Sequence, residues 1–112
     1  MREEMKALFS LVEAMSEING GKGTGGSHSI REGEKYIIRA DPMYYVGRVL
    51  AITDCDLVLG EASWVADTGR WSNALQTGEL SEVEPFVGKV IINRTRIVDM
   101  TVWGHNLPSE VK

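Results

Sequence analysis

Five of the ten residues 20 to 29, GGKGTGGSHS, are glycine, and the chain keeps a different period on either side of them. Before this segment Met1, Met5, Leu8, Val12 and Met15 recur at alternating steps of four and three, with Phe9, Leu11 and Ile18 widening the stripe. That spacing gathers apolar side chains on one side of an amphipathic helix. Arg2, Glu3, Glu4, Lys6, Glu13 and Glu17 take the other positions, and Gly20 with Gly21 supplies the reversal that commonly ends a helix. From Tyr36 onward Tyr, Ile, Val and Thr become dense, which favours strands. A chain divided in this way folds as a helix, a joint and a sheet.

The segments KYIIRA (35 to 40), MYYVGRVLAIT (43 to 53) and DLVLGEASWVA (56 to 66) read as three strands, separated by Pro42 and by Asp54-Cys55-Asp56. Thr68 is placed to cap a short helix through RWSNALQT, with Trp71 and Leu75 on one face and Gly78 at its end. GKVIINR (88 to 94) and TRIVDMTVW (95 to 103) add further strand, and Pro108 begins a polar tail. There is no internal repeat and no regular alternation of strand and helix. The fold class expected is therefore α+β: an N-terminal amphipathic helix, a Gly-rich loop, then a small antiparallel β-sheet of about five strands with a short inserted helix. At 112 residues this is a single domain, 1–112. It comprises an N-terminal assembly helix (1–19), a Gly-rich loop (20–34) and a β-rich body (35–108). The helix either folds back on its own sheet or packs against the same helix of another copy, since its spacing also suits helix pairing.

Charge and composition exclude several roles. A formal net charge of -4 opposes long-range attraction to a DNA or RNA polymer, while a small anion held by a local group of arginines is compatible with it. Cys55 is the only cysteine, so neither an internal disulfide nor a multi-cysteine zinc site is expected. No apolar run approaches membrane-spanning length, and the acids of the first 18 residues argue against a signal peptide or anchor. The cytoplasm is the compartment expected. His28 and His105 are the only histidines and lie far in sequence from Cys55, so no nucleophile and base pair, no catalytic residue, no metal site and no cofactor are expected. Glu82 and Glu84 would share a face in extended chain, as a glycosidase pair does, but solvated surface explains them more simply. Asn93-Arg94-Thr95 fits the glycosylation pattern, which a chain without a secretory signal would not use.

Gly21, Gly23 and Gly26 match G-x-G-x-x-G, but the dinucleotide fingerprint needs a strand entering and a helix leaving the loop. Here a helix enters and a strand leaves. The segment reads either as a linker or, with donors from Thr24, Ser27 and His28, as a run of backbone N–H groups that wraps phosphate when ordered by assembly. In the second half Arg94 and Arg96 lie two apart in a strand or turn and would project to one side, with Arg39 and Arg48 on other strands. Trp64, Trp71, Phe86 and Trp103 offer flat surfaces, and Asn93 could read a base edge or sugar hydroxyl. Such parts suit a nucleotide site. Composition alone favours the plainer reading, core tryptophans and solvated arginines paired with the many acids.

The segment YYVGRVLAITDCDLVLGEASWVADTGRWSNALQTGELSEVEPF, followed by VIINRTRIVDMTVWGHNLP, resembles a group of short phage and prophage proteins, the Thoeris anti-defence sponges of the Tad type one family. The similarity runs from about Tyr36 to Pro108 and is most specific at GRV (47 to 49), ASWVADTGRW (62 to 71), EVEPF (82 to 86) and INR (92 to 94). The resemblance implies a binding protein and not an enzyme, one that sequesters the cyclic ADP-ribose isomers (gcADPR) made by Thoeris TIR proteins without degrading them. It implies self-association into dimers or hexamers, and residence in the cytoplasm of the infected bacterial host. It further implies a cyclic ADP-ribose pocket with an arginine, an aromatic and an asparagine, best matched by Arg48, Phe86 and Asn93, with Trp71, Arg94 and Arg96 as neighbours. Some relatives also hold cyclic trinucleotides and other CBASS cyclic oligonucleotides at a second site after the N-terminal helix. Here that site would be Gly23, Thr24, Gly25, Ser27 and His28. The link Val87-Gly88-Lys89 is shorter than the family's, which leaves the relative placement of Phe86 and Asn93 open. Two rival readings stand beside this one: a small nucleotide-processing enzyme, and a phage structural or scaffold protein with no ligand.

Overall fold

The computed structural model describes residues 29 to 112. Contacts divide the chain into Met1–Ile30 and Arg31–Lys112, and the fold below is that of the second unit. The helix expected over 1–19 and the proposed second site at Gly23, Thr24, Gly25, Ser27 and His28 lie outside the described residues.

Three long strands, β1 (Lys35–Ala40), β2 (Met43–Ile52) and β3 (Asp56–Asp67), form an antiparallel meander. Helix α1 (Trp71–Thr77) follows, then β4 (Glu82–Pro85), β5 (Val90–Asn93), a 3-10 helix (Arg94–Arg96) and β6 (Asp99–Val102). The sheet thus has six strands in the order β4-β3-β2-β1-β6, with β5 also on β3. Strands β4 and β5 share one edge of β3: β5 pairs with Asp56 to Leu59 and β4 with Ser63 to Asp67. Strand β6 returns to the free edge of β1. A flat array would separate β5 from β6 by about 19 Å, four strand spacings. The five-residue link 94 to 98 spends three residues in a 3-10 helix, which rises only about 2 Å per residue. The sheet must therefore curl, bringing its flanks together as in a partly open barrel.

Successive strand residues face opposite sides, and Ile37 and Ile38 are both buried, so the sheet has a core on each face. On one side Ile37, Val46, Val65, Val83 and Trp103 pack with Ala74 and Leu80, and Tyr44, Leu75 and Leu107 close the edge. On the other lie Ile38, Val49, Leu57, Leu59 and Ile92. Trp103 belongs to the core, as the plainer reading of the tryptophans expects, and is not a flat surface open to a ligand.

Three local expectations are corrected. The sheet has six strands and not about five, because Glu82–Pro85, read as solvated acids, pairs with the outer end of β3. Glu82 and Glu84 do share the exposed side of that strand, with Val83 buried between them. The strand expected over 95 to 103 is interrupted: the Asn93 side chain accepts from the Thr95 N–H and starts a 3-10 turn, so strand resumes only at Asp99. Thr68 does not cap α1. Arg70 takes the cap position without a side-chain bond, while the Thr68 hydroxyl donates to the Gly69 carbonyl. At the other end Gly78 closes α1 as expected, in a left-handed conformation (φ 82°) with its N–H on the Ala74 carbonyl. The ring of His105 packs so close that a Cβ at Gly78 would meet it at 2.6 Å.

Two irregularities in the β2 and β3 pairing lie beside the candidate site. Between Val46↔Ser63 and Arg48↔Gly60, the residues Glu61 and Ala62 oppose Gly47 alone, and between Val49↔Leu59 and Ala51↔Val58 the extra residue is Leu50. One bulge is on β3 and the next on β2, so the register is restored beyond them. Gly47 lies close against the bulge: a Cβ there would stand 3.0 Å from the Ala62 Cβ, so any larger residue would need β3 to shift.

Candidate functional site

The alternation that buries Ile37 and Val46 places Lys35 and Arg48 further along the same face, where the two are register partners. The C-terminal segment crosses here. Lys35 Nζ donates to the His105 carbonyl, and the Trp103 indole donates to the Asn106 carbonyl at 3.1 Å. Beyond them Lys112 exchanges both backbone hydrogen bonds with Val83 (3.0 and 3.1 Å), so the tail is held at both ends. On the opposite wall the Phe86 N–H donates to the Ala62 carbonyl at 2.9 Å, extending the β4 pairing by one residue.

Between these walls is a groove of about 550 Å³, lined chiefly by Lys35, Arg48, Glu61, Pro85, Phe86 and Leu107. A second hollow of about 450 Å³ adjoins it, lined by Leu50, Gly60, Val87, Gly88 and Lys89 and sharing Arg48, Glu61 and Phe86. Three cations and one carboxylate line the pair of hollows, so the local charge is positive although the chain as a whole is acidic. Arg48 is held at two points: its Nε donates to Glu61 Oε1 at 3.2 Å and its Nη1 to the Gly33 carbonyl at 2.8 Å. Phe86 stacks on Tyr45 (centroids 6.2 Å, interplanar angle 25°) and is still 42% exposed, which leaves ring surface for a planar partner. A fixed guanidinium beside a partly open aromatic ring suits a ligand with a phosphate and a flat base.

Of the residues named from the sequence, Arg48 and Phe86 meet here. Asn93, Arg94, Arg96 and Trp71 do not line this groove within the chain. Asn93 pairs with Asp56 and Arg48 with Gly60, four residues apart on β3, or about 13 Å along the strand. The Asn93 carboxamide oxygen accepts from both the N–H and the hydroxyl of Thr95. Arg94 and Arg96 do not project to one side, since two residues turn a 3-10 helix through about 240°. The Arg94 guanidinium donates to the Thr53 carbonyl beside the β2 to β3 turn, and Arg96 Nη2 to the Asp41 carbonyl before β2 at 3.3 Å. Trp71 lies on α1 with its ring 5.6 Å from that of Tyr44. Sequence reasoning did not identify Lys35, Glu61, Lys89 or the tail residues Asn106 to Ser109. Lysines and glutamates carry no signal on a strand or in a loop, and the bulge that presents Glu61 is visible only in the pairing.

His105 is structural: its Nε2 lies 2.8 Å from the Leu75 carbonyl and its ring stands edge-on to Trp103. Among the described residues no group of His, Cys, Asp and Glu is placed to hold a metal, and no helix is long and apolar enough to cross a membrane. No protein-family model matches the chain, and no curated protein is significantly similar to it.

Arg39 is not a groove residue. It grips Asp99 across β1 and β6 through two hydrogen bonds, Nε to Oδ1 at 3.1 Å and Nη2 to Oδ2. The hydrogen bond from Arg39, reinforced by its charge, holds the Asp99 carboxyl below the ordinary carboxylate range. A lowered native value means that the unfolded chain takes up the proton first as acid is added. The stability the pair adds is complete above the unfolded carboxylate's pKa near 4 and is lost as pH falls through the lowered native value. Asp99→Asn should therefore unfold at a slightly lower temperature than the wild type at neutral pH, and the gap should close in acid. Melting both between about pH 2 and 7 checks this; a gap independent of pH would contradict it.

Proposed function

We propose that this chain is a non-catalytic sponge that binds and sequesters a cyclic ADP-ribose isomer, with Arg48 on the phosphates and Phe86 against a base. The observation that carries the reading is that Arg48 and Phe86, 38 positions apart, line one cationic groove with Lys35 and Lys89. These are two of the three residue types that the resemblance to Thoeris anti-defence sponges assigns to the ligand. A sponge works at low signal concentration, so it needs nanomolar affinity, on the order of 12 kcal/mol. A guanidinium already fixed by Glu61 and Gly33 loses little freedom on binding, which favours such affinity. The proposal extends to self-association as dimers or hexamers, to action in the cytoplasm of an infected bacterium, and to CBASS cyclic oligonucleotides at Gly23, Thr24, Gly25, Ser27 and His28.

Calorimetric titration with a cyclic ADP-ribose isomer and separately with a cyclic trinucleotide tests it, with mass spectrometry of the ligand released by heating. Tight stoichiometric binding with the ligand recovered intact is the expected result. Loss of ligand at substoichiometric protein would replace the sponge with a nucleotide-processing enzyme. Absence of binding to either ligand would favour a structural protein.

A further inference from the structure

We infer that Glu61 is a specificity-determining residue of the groove: its carboxylate accepts from a sugar hydroxyl or amino group of a nucleotide whose phosphate sits on Arg48. The inference rests on the nucleotide reading of this groove and adds a residue that the resemblance does not supply. Glu61 is the one non-glycine residue with positive φ among those described (50°). A side chain larger than Asn or Asp is uncommon there, and glycine would relieve the conformation at no steric cost. The strain is local to the bulge, where Glu61 and Ala62 face Gly47 alone and the backbone turns Glu61 outward. Its side chain is 65% exposed and borders both hollows, on the ridge where they meet.

The pairing with Arg48 leaves a defined set of free groups. Arg48 spends its Nε on Glu61 Oε1 and its Nη1 on Gly33, and neither Arg48 Nη2 nor Glu61 Oε2 has a partner among the described residues. A two-point donor is therefore left beside an acceptor. A phosphate ester takes the Nη2 donors, and a hydroxyl or amine on the same ligand reaches Oε2. Inorganic pyrophosphate offers oxygen acceptors and negative charge to the same ridge, so Oε2 repels it. Glu61 thus turns an anion-binding groove into one selective for nucleotides.

The test compares wild type, Glu61→Gly and Glu61→Asn by calorimetry, with a cyclic ADP-ribose isomer, ADP and inorganic pyrophosphate as probes. Glu61→Gly should weaken the cyclic ligand about tenfold or more, hold or strengthen pyrophosphate binding, and keep or raise the unfolding temperature. Glu61→Asn, which tolerates the same backbone, repeats the comparison with a side chain too short to present the same acceptor. Equal weakening of the cyclic ligand and pyrophosphate would mean that Glu61 only orients Arg48, and unchanged affinity for the cyclic ligand would mean that it contacts nothing; either overturns the inference. If the wild type binds pyrophosphate and ADP but no cyclic ADP-ribose isomer, the sponge reading fails alone, and the ADP to pyrophosphate ratio then decides the role of Glu61. Binding of none of the three overturns both.

Discussion

Trp103→Ala is expected to lower the stability of the domain by about 3 to 5 kcal/mol, the usual cost of truncating a buried large aromatic residue. A domain of this size has about 5 to 15 kcal/mol in total, so the loss is a large share of it and the unfolding temperature should fall markedly. Trp103 is 1% exposed and packs with Ile37, Val46, Val65 and Val83. It also joins three elements. Its N–H donates to the Lys35 carbonyl at 2.8 Å, its indole donates to the Asn106 carbonyl, and His105 stands edge-on to its ring at 5.0 Å. Alanine leaves a cavity under the sheet and an unpaired Asn106 carbonyl, and releases the tail that walls the groove. Trp103→Phe keeps most of the volume and loses the indole bond, for a cost nearer 1 to 2 kcal/mol. Urea unfolding measures both: the midpoint should fall in that order with the slope unchanged. A Trp103→Ala midpoint equal to the wild type would contradict the core described above.

The three central strands were legible because their signal is side-chain chemistry. Dense β-branched and aromatic residues between Pro42 and the Asp-Cys-Asp turn gave bounds within one residue of those observed for β1, β2 and β3. Gly78 was legible for the same kind of reason, since a helix end needs left-handed backbone. Strand β4 was not, because an edge strand with one exposed side shows only Glu, Val, Glu and Pro, which reads as surface. The break between β5 and β6 had a signal that was read for something else. Asn-x-Thr is a glycosylation pattern, but an Asn side chain that bonds the N–H two residues on is also a turn maker. Strand order and bulges are properties of pairing, and no single segment carries them. Arg48 and Phe86 are named by the resemblance, while no single segment points to Lys35, Glu61 or the tail that lines the groove beside them.

Arg48→Ala is expected to weaken binding of the cyclic ligand by about 10- to 100-fold or more, since a hydrogen bond to a charged group is worth about 1.5 to 3 kcal/mol. Its unfolding temperature should hardly change. The side chain is 39% exposed and its partner Glu61 65%, and an ion pair so exposed contributes about 1 kcal/mol at most. This separation of binding from stability distinguishes Arg48 from Asn93. The Asn93 carboxamide caps the 3-10 helix, so Asn93→Ala should cost about 0.5 to 2 kcal/mol of stability whether or not it touches ligand. Arg48→Lys sharpens the result: it keeps the charge but loses the planar fork that bonds Glu61 and Gly33 together. If charge alone attracts the ligand, Arg48→Lys will bind as the wild type does; if the fixed fork is what recognises phosphate, it will fall most of the way to Arg48→Ala. Calorimetry on the three proteins at two salt concentrations decides, because screening weakens attraction to a bare charge more than it weakens a fitted contact. Full affinity in Arg48→Ala would remove the groove from the proposed function.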